Sequence, residues 1–364
     1  RRRGTTMAAS PYASALGRLN PEFPAFLSKE VYPQLLAAKD PNEFAKLLET
    51  TPYADDIARA RSTHSDVTMV EVAINRTFVR RNRHAYEATP FAGRAVVGAY
   101  LGRWDIQNIE MILTVKAQGR GITETEDHLV SSREIPAGLY AGAMNLDDFR
   151  ILLSQPTLEA MVTSLVKYGY GATILPYLEA FERTHDIFPI LRALNKEYYR
   201  NVLAQARFFQ GDEWVIRSLV QNEIDATNVM LLLKGKDRFL PPDEVLSRFL
   251  EGGTMNITQA ADLYPARNVP ELAERFAAQF PSIAEGSTEY TTADSLTGYE
   301  VAVERDRATA DLRRLRTYPL SLSVIFAYLI RNEVERSDLR RAVFGRLYGV
   351  PADRLASLLV SPHL

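Results

Sequence analysis

The chain has 364 residues, 46% of them hydrophobic, and its 43 basic and 45 acidic residues leave a formal net charge of −2. It has no cysteine, which excludes disulfide scaffolds, thiolate metal sites, iron–sulfur clusters and cysteine nucleophiles. The balanced charge argues against a dedicated nucleic-acid binder, the hydrophobic content argues against disorder, and the length admits two or three domains.

Arg1-Arg2-Arg3 opens the sequence, but Pro11 and Tyr12 follow without an intervening apolar run, so no secretory signal is expected. Met7 reads as an initiator behind a short extension. Asp40-Pro41-Asn42-Glu43 predicts a helix start, with an Asp N-cap, proline at the first helical position and a capping-box acid. Apolar residues at spacings of three and four predict helices over Val67–Glu87, Val96–Ala117, Glu197–Phe209, Trp214–Leu233, Leu296–Leu315 and Leu320–Leu347. Alternating β-branched runs are nearly absent, so the expected class is all-α. Gly119–Glu126 and Asp237–Asp243, the latter with Pro241-Pro242, predict connections, and Ala284–Tyr290 predicts a loop. The uncharged stretch Tyr318–Ile330 is short of the ~20 residues a membrane-spanning helix needs and predicts a buried core helix. Only eight of the basic residues are lysine. The arginine excess suits carboxylate pairing, and a coding bias yields the same composition.

An internal repeat is the most informative feature. Trp104-Asp105-Ile106-Gln107-Asn108-Ile109, Ile224-Asp225-Ala226-Thr227-Asn228-Val229 and Val334-Glu335-Arg336-Ser337-Asp338-Leu339 share one pattern: apolar, acid, two variable positions, Asn or Asp, apolar. They are spaced by 120 and 110 residues, and Asn222-Glu223 and Asn332-Glu333 extend the second and third copies upstream. A second marker precedes each copy: Asn42–Leu48 before Pro52, Leu146–Leu153 before Pro156, and Pro270–Phe276 before Pro281. Each reads as a short capped helix stopped ahead of a proline. Three related helical units are expected, at 1–120, 121–237 and 238–364.

Known catalytic patterns are missing. Lys234-Gly235-Lys236-Asp237 lacks the glycine and hydroxyl positions of a phosphate loop, and Gly169-Tyr170-Gly171 lacks a third glycine and a preceding strand. The histidines at 64, 84, 128, 185 and 363 are scattered, with no zinc-hydrolase spacing. Asp55-Asp56 and Asp147-Asp148 lack the further aspartate of a diphosphate-binding motif and read as acids complementing helix dipoles. No cofactor, metal or catalytic residue is expected. The polar candidates are the repeat pairs Asp105 with Asn108, Asp225 with Asn228, and Glu335 with Asp338, each sharing a helix face. Two roles fit them: fixing helix crossings by bonding backbone or arginine groups, or lining a cavity around a common axis that receives a partner.

Tyr100-Leu101-Gly102-Arg103-Trp104-Asp105-Ile106-Gln107-Asn108-Ile109 resembles the R-[YWF]-D-x-x-N-[IVL] segment of the C subunit of archaeal A-type ATP synthases. The same family includes the d subunit of vacuolar ATPases and the C subunit of bacterial V-type enzymes. Ser10–Leu19 is similar to its N-terminal Tyr-x-Asn-Ala-Arg region, departing at Ser14 and Leu16. The resemblance spans nearly the whole chain. It implies three helical-bundle subdomains in a pseudo-threefold funnel, and a non-catalytic coupling subunit on the cytoplasmic face of the membrane. Its implied partners are the D and F subunits of the central shaft and the membrane rotor ring, with one copy per complex, no nucleic acid, and membrane contact only through the ring. A helical scaffold of another assembly and, less favoured, an all-α enzyme are the alternatives.

Overall fold

The computed structural model describes residues 10–118, 144–208 and 213–364, and every regular element among them is helical. Arg1–Arg3, Met7, the Gly119–Glu126 connection with the boundary between the first two expected units, His128 and Phe209 lie outside the described residues. Seven helices carry the architecture: α1 (Asp66–Ala88), α2 (Arg94–Leu101), α3 (Arg103–Ala117), α4 (Phe188–Phe208), α5 (Glu213–Asp237), α6 (Thr297–Leu315) and α7 (Ser323–Leu347).

Local chemistry sets where these helices begin. The expected 96–117 helix is divided by a turn at Gly102. α4 starts earlier than the apolar spacing indicates. The Asp186 side chain accepts a hydrogen bond from Phe188 N–H at 3.0 Å, and Pro189 fixes a helical φ in the first turn. α7 starts at Ser323, whose N–H donates to Ser321 Oγ at 3.0 Å, so Tyr318–Leu322 forms the turn before the buried helix.

Short helices precede the long ones. Those at Pro41–Leu48, Leu146–Leu153 and Val269–Glu274 are capped alike. Asp40, Asn145 and Asn268 accept from the N–H groups of Glu43, Asp148 and Glu271 at 2.8, 3.0 and 2.9 Å. Each such cap is worth about 1 kcal/mol. Asp55 and Asp56 occupy a helix first turn, where Asp56 is buried and accepts from Thr77 Oγ1 at 2.6 Å.

The loop expected over Ala284–Tyr290 is instead helical, with a 3₁₀ turn at Pro281–Glu285 running into the helix Gly286–Ala293. Packing outweighs its polar composition. A Cβ on Gly286 would stand 2.6 Å from the Tyr299 backbone nitrogen, so only glycine lets this helix lie so close to α6. Arg354 and Arg305 hold its acids Glu289 and Glu285, each at 2.9 Å.

The long helices close on themselves. α2 and α3 lie beside α4, α5 beside α6, and α7 along α1, while α1 also adjoins α2, α4 adjoins α5, and α6 adjoins α7. Neighbours distant in sequence run antiparallel. From α7 to α1, Asn332 meets Asn82, Arg336 meets Asn75 and Arg340 meets Glu71. From α5 to α6, Ser218 meets Arg314, Asn222 meets Asp311 and Lys234 meets Glu300. From α3 to α4, Arg103 meets Tyr198 and Glu110 meets Asn195.

The buried side chains of α5 and α7 are shared out among successive cores, while those of α3 enter one. Ile109, Ile112 and Leu113 pack with Phe149, Met161 and Leu194. Val229, Leu232 and Leu233 pack with Val245, Leu272 and Tyr299. Leu339, Ala342 and Val343 pack with Tyr32, Phe44 and Ile57. The second half of each motif helix thus enters the bundle that follows, and for α7 that bundle is the first. A further core joins Val97, Ile216 and Ile325 near the starts of the three motif helices.

Candidate functional site

The six repeat residues are buried, at most 2% exposed. Asp225 accepts from Thr254 N–H at 2.9 Å, Met255 N–H at 3.1 Å and the Gln279 amide at 3.0 Å, as well as from the Thr254 hydroxyl. Asn228 exchanges hydrogen bonds with the Leu250 backbone, donating at 2.8 Å and accepting at 2.9 Å. Glu335 accepts from Leu27 N–H at 2.6 Å, Tyr53 Oη at 2.7 Å and Arg81 at 2.6 Å. Asp338 accepts from Val360 N–H at 3.0 Å and Ser361 N–H at 2.6 Å. Leu27 and Thr254-Met255 lead into the short helices Val31–Ala37 and Ile257–Leu263, so the second and third pairs each hold the chain just before a short helix. Asp105 accepts from Tyr170 Oη at 3.4 Å, and burial drives its carboxyl well above the usual range.

A different set of equivalent positions meets in space. Arg103, Glu223 and Glu333 each stand two residues before the acid of their copy. The Arg103 guanidinium reaches Glu223 at 2.8 Å and Glu333 at 3.4 Å. It also donates to Tyr198 Oη at 2.7 Å and stacks on the Tyr100 ring, 3.9 Å from its centroid. Tyr100 Oη donates to Glu333 at 3.3 Å and Tyr199 Oη to Glu223 at 2.9 Å. Arg307 adds a second cation, 4.0 Å from Glu223 and 3.8 Å from Asp311. Sequence reasoning fixed on the acids of the motif and passed over these residues. Their signal was present in the Asn-Glu pair common to the second and third copies, read in register with Arg103.

Electrostatics fixes the roles within this network. Burial opposes the charge on Arg103, but Glu223 and Glu333 more than reverse it, so its pKa stands well above normal. Glu223 faces the same burial, yet Arg103 and Arg307 bring its carboxyl below the usual range. Glu333 is pushed up by burial and by Glu223, only partly relieved by Arg103. Burial likewise pushes Asp311 up to about 6 against the pull of Arg307.

Nearby, Glu110 on α3 accepts from the Asn195 amide on α4, and burial pushes its carboxyl from 4.5 up to about 7. The folded state then holds this proton more tightly than the unfolded chain. Stability from Glu110 is full below about pH 4.5 and is lost as pH rises through about 7. Denaturation midpoints measured from pH 4.5 to 8 should show a fall of about 2–3 kcal/mol from this group. Glu110→Gln should remove that share, and an unaltered slope in the variant would contradict the assignment.

A cleft of about 520 Å³ opens beside the network between α5 and α6. Met230, Leu231 and Val303 line it together with Lys234, Glu304 and Arg341, a mixture suited to polypeptide contact. Among the described residues no group of His, Asp and Glu could hold a metal ion, and no helix is long and apolar enough to cross a membrane.

The ATP synthase (C/AC39) subunit family matches residues 24–358. The chain is 32% identical to the A-type ATP synthase C subunit of Thermoplasma acidophilum over 97% of its own length and 99% of that protein's. It is 30% identical to the like-named protein of Thermoplasma volcanium, over 96% and 98% of the two chains. The Methanocaldococcus jannaschii counterpart is 23% identical over 97% and 87%.

Proposed function

The chain belongs to the ATP synthase (C/AC39) subunit family, a non-catalytic part of an enzyme complex, and from that premise we propose that it is the socket joining the central shaft to the membrane rotor ring. In this reading it receives the D–F shaft at one end of the helical ring and rests on the rotor ring at the other, at the cytoplasmic face. The three repeats act as related subdomains of a pseudo-threefold funnel, transmitting rotation between ion flow and the nucleotide-processing head.

The observation that carries the reading is the meeting of Arg103, Glu223 and Glu333 inside a closed circuit of antiparallel helices. A part that transmits torque must resist shear between its own bundles. Closed packing with ion pairs across all three repeats supplies that stiffness, since packed interiors deform little. The six repeat residues act in this proposal as clamps between successive units.

Co-expression with its organism's D and F proteins tests the reading. The chain should co-purify with the D–F complex at low salt and show no ATPase activity alone. Failure to associate under those conditions would remove the shaft from the proposal.

A further inference from the structure

The seam that joins the three repeats holds more acid than base. Its carboxyl groups are Glu223, Asp311 and Glu333, on α5, α6 and α7, and the guanidinium groups within ion-pairing range are Arg103 and Arg307. One pairing is close, Arg103 with Glu223 at 2.8 Å; the others lie at 3.4, 3.8 and 4.0 Å. The hydrogen bonds are shared as unequally. Both oxygens of Glu223 have donors, Arg103 on Oε2 and Tyr199 on Oε1. Glu333 receives Tyr100 and Arg103 on Oε2 alone, at 3.3 and 3.4 Å, and among the described residues its buried Oε1 has no partner. Asp311, fully buried, receives the Asn222 amide on Oδ1 at 2.9 Å, while its Oδ2 accepts no hydrogen bond.

The other groups facing these acids do not close the gap. Arg314, further along α6, is turned to the Ser218 hydroxyl and forms no ion pair among the described residues. Arg336, one turn beyond Glu333 on α7, donates to Asn75 at 2.9 Å and lies over the Phe78 ring at 5.1 Å. α1 presents Asn75 and Asn82 to this stretch of α7. Tyr100 on α2 and Tyr198 and Tyr199 on α4 keep their protons, because burial raises each phenol above its usual range.

We propose that this seam is a pH-responsive clasp: near neutral pH it carries one carboxylate too many, and on mild acidification it takes up a single proton, on Asp311 or Glu333, that tightens the join between the repeats. Three carboxylates against two guanidinium groups leave one buried negative charge unbalanced, which is costly. A proton on an oxygen that accepts no hydrogen bond cancels that charge without breaking any bond of the network. Arg307 feels all three acids, so protonating either Asp311 or Glu333 leaves more of that cation to the other, and the two titrate as a pair. Burial raises both carboxyls, Asp311 to about 6 and Glu333 above its ordinary 4.5. The folded seam thus binds the proton more tightly than the unfolded chain does. Its contribution to stability is full below the ordinary 3.8 of Asp311 and is lost as pH rises through about 6. The inference concerns the packing of this chain alone and stands whether or not the chain is the socket.

Carbon NMR of the full chain labelled at its aspartate and glutamate carboxyls, titrated from about pH 8 to about pH 5, is the test, with Asp311→Asn and Glu333→Gln assigning the two signals. Both carboxyls should titrate over one interval near pH 6. Glu333→Gln should lower the midpoint of Asp311 by about one pH unit, and Asp311→Asn should lower that of Glu333 likewise, since the remaining acid then competes less for Arg307. Chemical denaturation gives a second reading. Relative to either variant, the unfolding constant of the unaltered chain should fall about tenfold over the same range, and the double variant should show no further change in slope. Asp105, Glu110 and Asp338 are common to all these chains, so their titration cancels in the comparison. Midpoints at the ordinary 3.8 and 4.5 in the unaltered chain would overturn the proposal. So would midpoints indifferent to loss of the other acid, or a ratio of unfolding constants that stays flat with pH. Where one variant fails to fold, the other still reports the midpoint of the remaining acid.

Discussion

Arg103→Ala should destabilise the chain by about 3–5 kcal/mol at pH 7, measured by chemical denaturation. The substitution strands Glu223 and Glu333, whose side chains are each only 13% exposed, without their common cation. Truncation also takes away the stacking on Tyr100 and the hydrogen bonds to Tyr198. Arg307 cannot replace it, since it lies 4.0 Å from Glu223 and is shared with Asp311. The loss should be largest at neutral pH and shrink on acidification, because the stranded carboxylates then become neutral. Replacing all three charges together, as Arg103→Met with Glu223→Gln and Glu333→Gln, should cost much less than Arg103→Ala alone. If the triple replacement is as damaging as the single one, burial of unpaired charge is not the cause.

Glu335→Ala should cost a similar ~3–5 kcal/mol, for a different reason. Glu335 joins α7 to the first unit across more than 250 residues of sequence through Arg81, Tyr53 and Leu27. Its removal leaves Arg81, 6% exposed in its side chain, facing an emptied pocket. Arg81 then keeps the Ala25 carbonyl at 2.7 Å, the Tyr53 hydroxyl at 3.5 Å and the Phe26 and Tyr53 rings at 4.5 and 5.3 Å. Hydrogen exchange should therefore show lost protection over residues 25–37, which Glu335 holds against α7, before the remainder opens. Glu335→Gln preserves shape and should cost about half as much. An effect below about 1 kcal/mol would reduce the repeated acid to an ornament of its helix.

Much of this was legible in the sequence. The spacing of apolar residues located the long helices, and the Asp40 cap with the repeated helix-before-proline pattern located the three short ones, because these signals are local. The repeat pairs were legible as polar groups sharing a helix face, with two roles open for them. Their partners were not, since Leu27, Thr254 and Val360 are backbone donors brought in by the fold. Periodicity could not assign the second half of α3, α5 or α7 to the following bundle, because one apolar face looks the same whichever neighbour covers it. The Ala284–Tyr290 segment reads as a loop because its composition is polar; its helix depends on Gly286 lying against Tyr299, a contact of tertiary origin. The arginine excess also divides. Some arginines, such as Arg81 and Arg103, hold the repeats together, while those at 18, 94, 207, 217, 313 and 316 face solvent.

The central claim is that one rigid chain engages the shaft and the rotor ring at separate ends. Immobilised on a tag, it should be offered the D–F complex and the detergent-solubilised ring, singly and then together, with bound mass recorded. The two masses should add, giving a ternary complex in which neither partner displaces the other. Displacement of one by the other, or binding of neither, would contradict the claim.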